Sequence, residues 1–176
     1  MRCLISNTVK YLDAVNETIG RTLAWLTLAL VGVSVAVVLL RYLFASGNIA
    51  LQESATYLHS LVFMLGAAYT LKHDKHVRVD IFFRPASARC QARINLFGTL
   101  LMLFPFCIAL LYFSWDYVAA AWTIKESSQQ TGGLPYLYLL KSALLLLPLL
   151  LLLQGIAELG RNLLVLTAKD QGESDA

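Results

Sequence analysis

The sequence predicts an all-α fold, an integral membrane four-helix bundle, and two observations carry that reading. Four apolar stretches, Thr22 to Phe44, Ser54 to Leu71, Leu96 to Val118 and Tyr136 to Leu159, take up about half of the 176 residues. At about 1.5 Å of rise per residue against about 30 Å of hydrocarbon, roughly 20 apolar residues cross a bilayer as a helix. The second observation is that Ala143 to Leu153 contains no polar residue before Gln154. A helix of a soluble bundle keeps a polar face at a period of about 3.6 residues, so part of this one must face lipid. With 58% hydrophobic residues, a mean hydropathy of +0.64 and short connections, there is material for one domain, residues 1–168.

Taken in order, the first 20 residues place Leu4, Ile5, Thr8, Leu12, Val15 and Ile19 mostly three and four apart, with Arg2, Lys10, Asp13 and Glu17 elsewhere. This predicts a short N-terminal amphipathic helix on the membrane surface; a cytoplasmic extension of the first span has the same spacing. The first span, about 22–44, is too long for a signal-peptide core and ends in Arg41-Tyr42 without a small-x-small cleavage site, so it reads as a retained helix. The second, about 54–71, carries Ser60, Gly66, Ala67, Ala68 and Thr70, small residues that let helix backbones approach closely. After it, His76-Val77-Arg78-Val79-Asp80-Ile81 alternates polar and apolar in an extended period. Arg84-Pro85 breaks the chain and Ser87 supplies an N-cap, so the third helix starts near Ser87, about two turns before its apolar core at 96–118. Thr131-Gly132-Gly133-Leu134-Pro135 is a turn that launches the fourth span, about 136–159. Pro105 and Pro148 fall inside spans three and four and predict kinks. The polar tail, 169–176, reads as disordered.

Charge sets the orientation. Arg2, Lys10 and Arg21 precede the first span, six Lys and Arg lie between the second and third, and only Lys125 lies between the third and fourth. Short positive loops resist translocation, which puts both termini and the central connection in the cytoplasm. The net charge of +3 is accounted for by those flanks, so no nucleic-acid partner is implied, and the bilayer is the surface the chain addresses.

The intramembrane polar inventory is Arg41, His59, Asp116, Lys141 and Glu158, with Glu53 just outside. Such groups pair with one another, reach for the interface or meet a partner. Arg41, Glu53, Asp116 and Lys141 lie toward the outer face, where Glu53 with Arg41 or Lys141 makes a candidate docking point for another subunit. His59 reads as a bundle-facing residue hydrogen-bonded across helices. His59, His73 and His76 share one helix, so they cannot clasp a haem between two, and no cofactor or metal is implied. Cys3, Cys90 and Cys107 imply no disulfide, and no span pairs a nucleophile with a base, so no enzyme is expected.

The run Leu65-Gly66-Ala67-Ala68 to His76-Val77-Arg78-Val79-Asp80, with Glu53 opening the same helix, resembles the signature of the small membrane subunit, the DctQ-like component, of tripartite ATP-independent periplasmic (TRAP) transporters. Glu53, Gly66, His76, Val79 and Asp80 stand at the matching positions, and Arg41-Tyr42 and Gly-Gly-Leu-Pro also resemble that family. The stretch after Glu53, Ser54 to His59, departs from the more aromatic run of many members. The resemblance implies a bacterial inner-membrane symport system for organic acids. In it a periplasmic solute-binding protein captures the solute, a large membrane subunit moves it on a sodium gradient, and the small permease subunit braces the large one. The residues themselves leave one rival reading, a self-sufficient small channel or exporter, for which Asp116 is the nearest intramembrane carboxylate. The segment from His76 to Asp80 is expected to fold back and pin the second and third helices, with Asp80 paired to Arg78, Arg84 or a cap amine and His76 on a carbonyl.

Overall fold

A computed structural model describes residues 2–76, 83 and 85–168, and every regular element among them is helical. The helices are α1 (Arg2–Leu43), α2 (Ile49–Lys72), α3 (Ala88–Gly98), α4 (Phe104–Thr123) and α5 (Leu137–Ala168). A five-residue π-helical turn, Thr99–Leu103, joins α3 to α4. Among the described residues three stretches are long and apolar enough to cross a membrane: Ser6–Leu43, Ala88–Thr123 and Leu137–Thr167. α2 has the length, at 24 residues, but carries Gln52, Glu53, His59 and several hydroxyl side chains and falls outside that set.

The separate N-terminal amphipathic helix is not formed. α1 runs unbroken for 42 residues, about 63 Å, so the amphipathic segment extends the first span. Its polar face does not lie on a membrane surface, because Asn16 is 1% exposed and turned onto α5. Gly20 keeps the register close at this level: a Cβ there would run into the Tyr69 ring of α2.

Helix ends follow local chemistry. Asn48 caps α2 by accepting from Leu51 N at 3.0 Å, and Ser87 caps α3 by accepting from Cys90 N at 3.4 Å. α2 stops in a Schellman turn, in which Lys75 N donates to Thr70 O and Asp74 N to Leu71 O, with Asp74 at φ 55°. α4 stops the same way through Glu126 N to Ala121 O, with Lys125 at φ 48°.

Pro105 acts one turn upstream. Its ring needs the space of the Leu101 carbonyl, and the chain responds by widening the preceding turn, so that Phe104 N donates five residues back to Thr99 O. Pro148 stays inside α5, fully buried, with helix on both sides.

α5 is the hub, packing on α1, α2, α3 and α4, while α1 and α2 pack on each other. Ala68 of α2, Cys107 of α4 and Leu151 of α5 form the buried centre, with Leu71, Leu103 and Leu147 against it. Gly155 lets α5 approach Phe104, whose Cε1 lies 2.6 Å from where a Cβ would stand.

Candidate functional site

The bundle has two polar ends. At one, which we call the terminal end, the start of α1, the end of α2 and the end of α5 converge. The opposite, hairpin end carries the α1–α2 and α4–α5 connections.

At the terminal end a directional relay joins α1 to α5. Asp13 can only accept, so Gln154, 0% exposed, must turn Nε2 toward its Oδ1, at 3.2 Å. That leaves Gln154 Oε1 facing Asn16, which presents Nδ2 to it at 2.7 Å. Arg161 Nη1 donates to the other Asp13 oxygen at 2.9 Å, and its second nitrogen reaches Glu158. α2 joins through Lys72, whose Nζ donates to Asp13 O at 3.0 Å and to Glu17 Oε2 at 2.7 Å. His73 Nε2 lies 3.1 Å from the same Glu17 oxygen, and Arg21 Nε donates to Oε1 at 3.1 Å. Glu17 precedes the first span as the sequence bounds it, about 22–44, whose 22 residues from Thr22 to Leu43 already rise about 33 Å. The Lys72 ammonium, with His73 and Arg21 beside it, holds the Glu17 carboxyl down from its ordinary 4.5 to about 2.

At the hairpin end Glu53, in the first turn and a half of α2, fastens the α4–α5 connection. One carboxylate oxygen accepts from Ser128 Oγ, the other from Leu134 N at 2.6 Å. The loop is closed on itself by Ser128 N to Leu134 O at 3.0 Å and Gly133 N to Gln130 O at 2.9 Å. Lys141 Nζ donates to Glu126 Oε2 at 2.5 Å and sits 4.0 Å from the Tyr117 ring centroid. Trp122 Nε1 donates to Ser142 Oγ at 2.8 Å, and Lys125 lies over the Trp122 and Tyr138 rings.

The predicted site residues thus divide. Glu53 and Lys141 both sit at the hairpin end, but Glu53 pairs with neither Arg41 nor Lys141: its carboxylate is taken by Ser128 and Leu134 N of the α4–α5 connection, and the Lys141 ammonium by Glu126. Arg41 is exposed in the last turn of α1 with no ion pair among the described residues. Gly66 faces α1, where a Cβ added to it would stand 3.8 Å from Leu23 Cδ1, and Thr70 Oγ1 donates to its carbonyl at 2.9 Å. His76 Nε2 lies 3.2 Å from Ala67 O, back along α2. Arg78, Val79 and Asp80, with Arg84, lie outside the described residues. His59 corrects the sequence reading: it is exposed on the outer face of α2, one turn from Phe63 at 6.4 Å between centroids, because α1 and α5 cover the other faces. Asp116 is also exposed, seven residues before the end of α4.

Sequence reasoning missed the terminal-end relay. The signal was present as two groups of polar residues at helical spacing, Asp13-Asn16-Glu17 and Gln154-Glu158-Arg161, at the same end of the bundle. Among the described residues no three His, Cys, Asp or Glu gather as metal ligands.

A family model described as "Tripartite ATP-independent periplasmic transporters, DctQ component" matches residues 30–164. No curated protein and no solved structure matches the chain. The matched residues include Glu53 and its loop, Lys72, Lys141 and Gln154; the amphipathic start of α1 lies before them.

Proposed function

We propose a bracing role for this chain, which belongs to the DctQ component family of the tripartite ATP-independent periplasmic transporters and is a multi-pass protein of the inner membrane. In this reading it is the small permease subunit. It holds a fixed wall against which the large membrane subunit works, while a sodium gradient drives uptake and the periplasmic binding protein delivers the solute.

The observation that carries the proposal is how the ionisable side chains at the two ends are used. Asp13, Glu17, Lys72, Glu158 and Arg161 are bonded to one another at the terminal end, and Glu53, Glu126 and Lys141 to the α4–α5 connection at the other. Groups spent on each other tie helices together and are not free to follow a moving solute. A bundle clamped at both ends resists the tilting that a moving neighbour would impose.

α2 completes the wall as a fourth crossing. Glu53 near its start is bonded to the hairpin end and Lys72 at its finish to the terminal end, so it runs the depth between them, about 36 Å. In this reading the positive terminal end faces the cytoplasm, which the Lys and Arg between α2 and α3 support. The loop held by Glu53 then faces the periplasm, where the binding protein docks.

Reconstitution tests this. Proteoliposomes holding the large subunit and this chain, supplied with binding protein, solute and an inward sodium gradient, accumulate solute; those holding the large subunit alone lose that activity. Full uptake without this chain overturns the proposal, as does solute or ion flux through this chain alone.

A further inference from the structure

The outward face of α2 differs from the other lipid-level faces of the bundle. On α5 the exposed mid-helix positions are Leu146, Leu149, Leu153 and Ile156, on α1 they are Val31, Val35 and Val38 with the small hydroxyls of Thr27 and Ser34, and on α4 they include Phe106, Tyr112 and Phe113, none of them ionisable near neutral pH. α2 exposes Thr56, His59 and Phe63, spaced three and four apart on one stripe. His59 stands ten residues into the helix, about 15 Å from its start and close to its middle. Its described contact is the Phe63 ring, and Thr56 Oγ1 donates only within its own helix, to Gln52 O at 3.3 Å.

An imidazole has two ring nitrogens that both need hydrogen-bond partners, and hydrocarbon offers none. Ionisable residues within spans almost always face a bundle interior or a partner. In this chain alone His59 does neither. Asp116 is a different case, since it stands about 10 Å from the end of α4 where Lys125 and Lys141 gather.

We infer that the Thr56–His59–Phe63 stripe of α2 is a helix-docking surface, and that its occupant is a transmembrane helix of the large membrane subunit presenting a hydrogen-bonding group to His59 at mid-bilayer. Depth selects that occupant: a water-soluble binding protein cannot reach about 15 Å below the surface, whereas an embedded helix passes through that level. Phe63 supplies apolar contact one turn toward the terminal end, and Thr56 a small hydroxyl one turn toward the other. The inference rests on the bracing role proposed above and specifies the face through which it is exerted.

The test uses the complex of this chain with the large subunit, expressed together and purified through a tag on this chain. A benzophenone amino acid placed at Thr56 or Phe63 is expected to cross-link to the large subunit, and the same probe at Leu146 or Leu153 of α5 to give several-fold less product. His59→Leu is expected to reduce recovery of the large subunit by between about threefold and about twentyfold, the range for one hydrogen bond between membrane helices, and His59→Gln to restore part of it. Single-peak gel filtration of each variant separates a lost contact from a lost fold, and the probes at 56 and 63 test the face with His59 intact. Capture of the large subunit equally well from α5, a product of twice this chain's mass, or no product at 56 and 63 while the large subunit still co-purifies overturns the inference. That last outcome leaves the bracing role standing; failure of the large subunit to co-purify with the unaltered chain removes both.

Discussion

The Asn16–Gln154 bond gives the sharpest test of what clamps the terminal end. The two amides are 138 residues apart in sequence, both almost wholly buried, and joined at 2.7 Å. Asn16 Oδ1 has no partner among the described residues, so the Nδ2 bond to Gln154 is the side-chain hydrogen bond that Asn16 makes there. Replacing Gln154 by Met keeps the length of the side chain but strands Asn16 Nδ2 and removes a donor from Asp13. A buried polar group left unsatisfied costs about 1–3 kcal/mol. For a chain of this size each kcal/mol moves the midpoint by about 2–4 °C, so Gln154→Met is expected to lower it by about 2–12 °C. Adding Asn16→Leu removes the stranded group as well, and replacing both partners by apolar side chains of similar shape is nearly neutral, so the double variant is expected to recover most of the loss. Cys107 provides the readout. Its thiol is 0% exposed and Cys90 is exposed, so in a Cys3→Ser, Cys90→Ser background a thiol-reactive fluorophore reports opening of the core on heating. If the double variant melts at the sum of the two single losses, the amides are not coupled and the relay is not what holds α1 to α5.

Three further outcomes follow from the same geometry. Glu53→Ala removes the acceptor of Leu134 N, so amide exchange at Leu134 is expected to accelerate by about tenfold or more, the equivalent of one charge-assisted hydrogen bond, with Glu53→Gln between; unchanged exchange would show that the loop holds itself. Gly133→Ala places a methyl 2.6 Å from Ser128 Cβ and 2.8 Å from Glu53 Oε1 and is expected to cost about 1–3 kcal/mol, whereas Gly66→Ala, with 3.8 Å to Leu23, is expected to be stabilising by up to about 1 kcal/mol; melting of the two variants side by side decides this. The Glu17 carboxyl is held below its ordinary value, so its contribution is complete above pH 4.5, is lost progressively as the pH falls toward 2, and is gone below it. Midpoints measured through that window should fall less steeply for Glu17→Gln than for the unaltered chain, and parallel curves would contradict the Lys72 clamp.

What the sequence made legible was whatever a few neighbouring residues decide. The run from Ala143 to Leu153 announces a lipid-facing helix by composition alone, and Ser87 caps α3 because its partner, Cys90 N, is three residues away. Pro105 announced a disturbance, but that it takes the form of a π-helical turn at Thr99–Leu103 was not written in the residues around it. The N-terminal segment shows the limit most plainly. An amphipathic stripe has the same spacing on a membrane surface and on a neighbouring helix. Asn16 finds its partner 138 residues away, and only the fold brings that partner near.

The same limit decides the candidate site. Glu53 stood out as a charge at a helix start, yet its partners, Ser128 and Leu134, lie 75 and 81 residues along the chain, so whether it faces outward or inward was not written in its neighbourhood. α2 is the hardest helix to orient because its polar and apolar side chains ring it nearly evenly, without a face that sequence periodicity could assign to the core. An evenly ringed helix is what results when several faces are covered by different surfaces: α1 on one side, α5 on another, and, by the inference above, a helix of the large subunit where His59 looks out. A lipid-facing third side would have been free to become uniformly aliphatic, as the exposed stripe of α5 is. The weak amphipathicity that hid the facing of α2 from sequence reasoning is therefore itself an argument that this helix sits between partners and not at the edge of the assembly.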